Sequence, residues 1–198
     1  MGNILVVSGH PDLASSNANQ LILEALSARL DGISITRLDQ RYPDYRIDIE
    51  REQAALRRAD IVVLQFPFYW YSVPALLKKW IDDVFAYGFA YGSTGDKLQG
   101  KILLASFTIG GPSDAYQATG YNHFSLEQLL RPLEQTAYLA GMTFESVYSH
   151  GMVYIPQVYN RLDEVKGRAQ AHAEELISVL NKLRSPRQLE SEIASVAA

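Results

Sequence analysis

The stretch Asp60-Ile61-Val62-Val63-Leu64-Gln65-Phe66, continued by Pro67-Phe68-Tyr69-Trp70-Tyr71-Ser72-Val73 and then by Pro74-Ala75-Leu76-Leu77-Lys78-Lys79-Trp80-Ile81-Asp82-Asp83-Val84-Phe85, decides the architecture. Its first part is an almost unbroken apolar run, which suits a strand covered on both faces. Its last part sets Leu76, Leu77, Trp80, Ile81, Val84 and Phe85 at helical spacing, with Asp82 either reaching the loop or, as is commoner, facing water. Between them, Phe66 to Tyr71 is aromatic at every position but Pro67. A buried strand that runs through a short loop into an amphipathic helix is the repeating unit of an α/β fold.

The same unit recurs on either side. Strands are predicted over Asn3–Ser8, Ile33–Leu38, Lys101–Thr108 and Thr143–Tyr148. Helices are predicted over Asn17–Leu30, Glu50–Arg58, Phe124–Ala140 and Arg161–Leu183, with Pro132 either in the first turn of its helix or kinking it. Regular alternation predicts a three-layer sandwich: one five-stranded parallel sheet in the order 2-1-3-4-5, with helices on both faces. Residues 1–183 read as one domain, and 184–198 as a loose tail of weak pattern.

Composition narrows the function. The chain has 198 residues, 47% hydrophobic and 20% charged, which excludes a disordered polymer. Its 18 basic against 22 acidic residues argue against nucleic acid as a partner. It has no cysteine, so thiol catalysis, disulfides and iron–sulfur clusters are excluded, and the cytoplasm is the expected compartment. The N-terminal residues lack the pattern of a signal peptide. His10, His123, His150 and His172 have no metal-ligand spacing, so no metal site is expected.

Three loops carry the chemistry. After the first strand, Ser8-Gly9-His10-Pro11-Asp12-Leu13-Ala14-Ser15-Ser16-Asn17 lacks both Gly-x-Gly-x-x-Gly and Gly-Lys-Ser/Thr. It does offer neutral donors, His10, Ser15, Ser16 and Asn17, at a helix start where free N–H groups favour an anion. The plainer reading is that Ser15 or Ser16 caps the helix. The aromatic loop after the third strand suits a planar heterocycle, although its rings could instead plug the core. After the fourth strand, Thr108-Ile109-Gly110-Gly111-Pro112 permits a close backbone approach or positive φ, or is merely a tight surface turn. Tyr116, just beyond, can donate a hydrogen bond to charge developing on a ligand. In a sheet of this order the three loops meet at the switch point. A phosphate cradle, an aromatic wall and a glycine-lined approach together describe a site for a flavin mononucleotide.

On these residues the chain resembles the NAD(P)H:quinone oxidoreductase family of flavodoxin-like proteins. It is most like the short bacterial branch that includes ancillary subunits of glutathione-gated potassium efflux systems. The carrying motifs are Gly9-His10-Pro11 with Ser15-Ser16-Asn17, Gln65 through Lys78, Thr108-Ile109-Gly110-Gly111 with Tyr116, and Tyr42-Pro43-Asp44 through Asp48-Ile49. The likeness spans roughly residues 3–155. By that resemblance, His10, Ser15, Ser16 and Asn17 hold the flavin phosphate or ribityl chain. Pro67, Phe68, Tyr69, Trp70 and Tyr71 form the wall against the ring system, and Thr108, Gly110, Gly111 and Tyr116 form the other flavin-binding loop. Mammalian members place a histidine six residues after the tyrosine. Asn122 stands there in this chain and His123 follows, which makes Tyr116, Asn122 and His123 the candidate catalytic residues.

The resemblance implies FMN in preference to FAD, since the long C-terminal extension of the mammalian members has no counterpart here. It implies NAD(P)H as co-substrate, a quinone-like acceptor, a ping-pong hydride cycle and a homodimer. The alternative is a regulatory subunit of a membrane potassium antiporter, held at the inner membrane by that partner. A one-electron flavodoxin is a third option, disfavoured by the first loop and by the modest acidity.

Overall fold

The computed structural model describes residues 2–184, so the expected tail beyond Arg184 lies outside the described residues. Five parallel strands, β1 (Ile4–Ser8), β2 (Ile33–Arg37), β3 (Ile61–Pro67), β4 (Ile102–Thr108) and β5 (Thr143–Ser149), pair in the order β2-β1-β3-β4-β5. The helices are α1 (Asn19–Arg29), α2 (Leu38–Arg41), α3 (Ile49–Arg58), α4 (Ala75–Val84), α5 (Leu126–Leu139) and α6 (Leu162–Leu183). This is the flavodoxin-like α/β sandwich expected from the alternation.

The central strands β1, β3 and β4 are buried at every position, because each face carries a helical layer. On one face Ile4, Val6, Val63 and Leu104 pack against Ile22 and Leu26 of α1 and Ala169, Leu176 and Leu180 of α6. On the other, Leu5, Val62, Leu64, Phe66 and Phe107 pack against Leu56 of α3, Leu77 and Trp80 of α4 and Leu130 of α5. Each such side chain, fully buried, contributes about 1.5–3 kcal/mol.

The strand register aligns three polar residues. Ser8, Gln65 and Ser106 lie opposite one another in one row across the three central strands. Successive side chains alternate between faces. This row therefore sits on the α1/α6 face, two residues beyond the row of Val6, Val63 and Leu104, where the apolar layer gives way to polar groups at the carboxyl edge.

Three local expectations change. Leu38 does not extend β2 but opens the short α2, where it is fully buried. Of the two expected placements for Pro132, the first turn of α5 is not the one adopted. The residue lies well inside Leu126–Leu139, so the Gln128 carbonyl forgoes its bond, while Thr136 Oγ1 donates to the Pro132 carbonyl at 2.7 Å. The capping box of Ser125 and Gln128 shifts the start of α5 past Phe124.

A buried charge ties the layer under β3 together. Glu52 of α3 is fully buried. Its carboxylate accepts from Tyr42 Oη at 2.7 Å, Arg41 Nη1 at 3.2 Å and Trp80 Nε1 at 3.0 Å. Burial, and then the bond to Glu52, pushes the Tyr42 phenol well above its ordinary value.

Candidate functional site

A cavity of about 520 Å³ opens at the carboxyl ends of β1, β3 and β4, within the range usual for ligand pockets. His10, Ser16, Asn17 and Asn19 line it from the first loop and the start of α1. Pro67, Phe68, Tyr69 and Trp70 line it from the aromatic loop, and Thr108 and Gly110 from the loop after β4. A second cavity of about 480 Å³ lies between α1 and β2. Its arginines, Arg37 and Arg41, are already bonded to Asp39 and Glu52, which leaves it little to offer an anion.

The first loop is held down at Gly9, whose N–H donates to the Gln65 carbonyl at 2.8 Å. A Cβ on Gly9 would lie 2.6 Å from Leu77 Cδ2, so only glycine lets the loop cross α4 this closely. His10 is buried, and its Nδ1 accepts from the Asp12 N–H at 3.1 Å. Burial lowers its pKa, against the opposing pull of Asp12 and Asp39. The ring is therefore neutral, with its proton on Nε2. Asp12 itself is exposed. Ser16 Oγ accepts from the Asn19 N–H at 3.0 Å, so it caps the chain entering α1 and lines the cavity as well. Ser15 is not among the lining residues: it is exposed, and its hydroxyl donates to the Asp12 carbonyl at 3.0 Å.

The aromatic loop divides its rings between two tasks. Phe66 and Phe68 are buried on Phe107, at centroid distances of 5.4 and 5.1 Å. Tyr69, Trp70 and Tyr71 are exposed, Trp70 to 90%. Tyr69 and Ser72 close a tight turn, and the two residues between them, Trp70 and Tyr71, have φ of 46° and 64°. That region favours Gly and Asn over aromatic residues. The strain holds large apolar rings out of the core.

Neither Gly110 nor Gly111 takes positive φ, contrary to one expectation for this pair. Gly110 instead leaves room along the cavity, beneath Val153. A Cβ on Gly111 would lie 3.4 Å from the side chains of Tyr116 and Tyr121. Tyr116 is not among the residues lining the cavity; its ring lies against Gly111. Burial raises its pKa, so the phenol keeps its proton at neutral pH, with the nearby Asn122 side chain opposing the rise. Asn122 also accepts from Tyr71 Oη at 2.9 Å, linking the two loops. His123 is exposed, at φ 62°. The imidazole that packs on Tyr116 is His150, at a centroid distance of 5.4 Å. It donates from Nδ1 to the Gly111 carbonyl at 3.2 Å, and burial lowers its pKa.

Sequence reasoning missed Asn19 and the segment Met152, Val153 and Tyr154, which closes the cavity from beyond β5. That segment is pinned by Met152 N–H to the Ile109 carbonyl at 2.8 Å and by Asn160 Nδ2 to the Val153 carbonyl at 2.7 Å. Its only sequence signal was position, since a fifth strand must also end at this edge.

The donors fit a phosphorylated planar cofactor. His10 Nε2, Ser16, Asn17 and the N–H groups of α1 that follow Asn19 would hold phosphate or polyol, and the aromatic loop would flank a ring. Among the described residues no lysine or arginine lines the cavity, as suits a phosphate that is held and not transferred. Among the described residues, no cluster of metal-ligating side chains occurs and no helix is long and apolar enough to cross a membrane.

The strand order and the helices on both faces define a flavodoxin-type α/β domain, with the cavity at its carboxyl edge. Residues 2–173 match the family model described as having a flavodoxin-like fold, and the chain belongs to that family. It is 44% identical over 140 residues to an uncharacterized NAD(P)H oxidoreductase of Bacillus subtilis, covering 71% of each chain. It is 39% identical over 177 residues to the glutathione-regulated potassium-efflux system ancillary protein KefG of Pectobacterium carotovorum, covering 89% of this chain and 94% of that one. The solved structure of general stress protein 14 from Treponema denticola, in complex with FMN, superposes with a TM-score of 0.79 at 30% identity, covering 89% of this chain and 98% of that one.

Proposed function

We propose that this protein is an FMN-dependent NAD(P)H oxidoreductase that passes two electrons to a quinone-like acceptor in a ping-pong cycle. The observation that carries the reading is one cavity that joins a neutral phosphate-type cradle to an exposed aromatic wall. Bound FMN would supply the redox chemistry, so that NAD(P)H, a proton and a quinone give NAD(P)⁺ and a hydroquinone. The chain's own residues bind, orient and hold protons. His10, Ser16, Asn17 and Thr108 fix the cofactor, with Asn19 behind them bonded to Thr108. The exposed faces of Trp70 and Tyr71 offer nicotinamide and quinone one shared landing surface, which imposes alternation between them. Tyr116 keeps a proton on its hydroxyl beside the site, oriented by Asn122, with His150 against its ring. Tyr116 and Asn122 are thus proposed for catalysis. His123 enters only as an exposed neighbour.

The purified protein is expected to be yellow, to release FMN on denaturation and to oxidise NADPH with a soluble quinone. Colourless protein that gains no activity with added FMN or FAD overturns the reading. Tyr116→Phe is expected to slow reduction by NADPH about tenfold while changing FMN affinity less than threefold, since a donor to developing charge acts in the transition state. The reverse pattern would make Tyr116 a binding residue only. The resemblance to KefG supports a second reading, a regulatory subunit on a potassium antiporter. Co-purification with such a membrane protein, retained in a variant that cannot bind FMN, would favour it. The same family resemblance supports a homodimer, which sedimentation of the purified chain would test.

A further inference from the structure

Beneath the cavity a line of buried polar side chains runs across the sheet to α6. Thr108 Oγ1 accepts from Asn19 Nδ2 at 3.0 Å, and Asn19 Oδ1 accepts from Gln65 Nε2 at 2.8 Å. Gln65 Oε1 accepts from the Ser106 hydroxyl at 2.5 Å. Ser106 Oγ also lies 2.8 Å from His172 Nε2, and Ser149 Oγ lies 3.0 Å from His172 Nδ1. Asn19, Gln65, Ser106, Thr108 and His172 are all buried.

The direction of this chain follows from proton bookkeeping. A hydroxyl has one proton, and that of Ser106 is spent on Gln65. The bridge to His172 must therefore use the ring's own proton, which sits on Nε2. Burial keeps the ring neutral by lowering its pKa to about 4, so Nδ1 is bare and accepts from Ser149. Every donor then points the same way, from Ser149 through His172, Ser106, Gln65 and Asn19 to Thr108. Thr108 receives a hydrogen bond inside the protein and keeps its own proton for the cavity it lines. With the opposite tautomer each link reverses, and the Thr108 proton is consumed by Asn19 Oδ1.

We propose that His172, acting through Ser106, Gln65 and Asn19, is a positioning residue that fixes the Thr108 hydroxyl as a hydrogen-bond donor to the bound cofactor. The proposal rests on the FMN reading for the identity of the ligand. The protonation of His172 is a property of the chain alone. Aligned hydrogen bonds in a low-dielectric interior polarise one another, which strengthens the terminal donor.

Two measurements test it. In the full-length ¹⁵N-labelled protein without flavin, long-range ¹H–¹⁵N spectra at pH 7 are expected to show His172 as the neutral Nε2–H tautomer; the Nδ1–H tautomer or a charged ring overturns the proposal. In FMN titrations Thr108→Val is expected to raise Kd about tenfold, the size of one hydrogen bond to a charged or strongly polar acceptor. Ser106→Ala, which breaks the chain with little change of volume, is expected to raise Kd about fourfold in the natural background and less than twofold beside Thr108→Val, because coupled groups are not additive. His172→Leu should follow Ser106→Ala, and His172→Gln, which keeps a donor near the Nε2 position, should restore affinity. Equal factors in both backgrounds, or no rescue by Gln, overturn the proposal. Natural protein that binds no FMN overturns the functional reading, and the tautomer measurement then still decides the direction of the chain.

Discussion

Two buried polar systems lie on opposite faces of the same sheet, and they are built differently. Around Glu52 the system is charged and closed: Tyr42, Arg41 and Trp80 all direct donors at one carboxylate. Under the cavity the system is neutral and open: its links run from Ser149 and His172 to Thr108, where one proton is left over. A closed set serves the fold, because a buried carboxylate is tolerable only when its lone pairs are filled. An open set serves a ligand, because its last donor has no protein acceptor among the described residues. Neutrality matters at the open end, where a fixed charge would dominate the field on whatever binds.

The sharpest contrast is expected from Glu52→Ala. It strands two buried donors, the Tyr42 phenol and the indole of a fully buried Trp80, takes a partner from the half-buried Arg41, and leaves a hole in the layer between α3 and α4. Removing one partner from a buried charged set costs about 3–5 kcal/mol. Urea denaturation should show a loss of that size, with FMN affinity of the folded protein within twofold of the natural value. A loss below about 1 kcal/mol, under the cost of one unmet buried donor, would show that Glu52 is not a keystone. A larger effect on flavin than on folding would join the two systems the structure separates.

The difference between the systems was only partly legible in the sequence. The runs Ile4–Val7, Ile61–Leu64 and Ile102–Leu104 announce buried strands because burial on both faces leaves no room for alternation. Once the strands are placed, the loops that end them must meet, so topology alone brings Ser16, Trp70 and Gly110 together. What escapes is whatever depends on a partner far along the chain. His172 sits in a long helix rich in charged residues, and only its facing residue, Ser106 of β4, makes it part of a network. His150 passes for an isolated histidine until Tyr116 is laid on it. Asn19 is one residue from an expected donor's neighbour, yet its role depends on the helix beginning there and not at Asn17. Ser15 has the right chemistry, but a short helical turn over Leu13–Ser15 directs its hydroxyl to its own backbone.

A second, smaller effect separates the systems by pH. His172 has a folded pKa of about 4 against an ordinary value of 6.5, because burial disfavours the charged ring. The unfolded chain therefore takes up a proton as pH falls through 6.5, while the folded chain resists until pH 4. Stability from this group is complete above pH 6.5, falls between 6.5 and 4, and is flat below. Between pH 7 and pH 5 the loss is about 2 kcal/mol by linkage. His172→Gln removes the titration, so the variant's stability should decline less over that interval by about this amount. Parallel curves for the two proteins would mean that the ring is hydrated in solution and the chain beneath the cavity is not dry.

The smallest expected effect has the opposite sign. Trp70 and Tyr71 occupy a turn that the backbone would give to Asn and Gly, and Trp70 gains little from burial, being 90% exposed. Residues held in such a conformation cost about 1 kcal/mol or more each. Trp70→Asn keeps the positive φ at a residue that tolerates it and leaves the Tyr71–Asn122 bond in place. Thermal or urea denaturation should show a gain of about 0.5–1 kcal/mol, while FMN binding or turnover with quinone weakens severalfold. Strain that can be relieved only at the expense of the site belongs with the open system. A variant that loses stability and keeps its activity would instead place the Trp70 ring with the closed one, as a support for the fold.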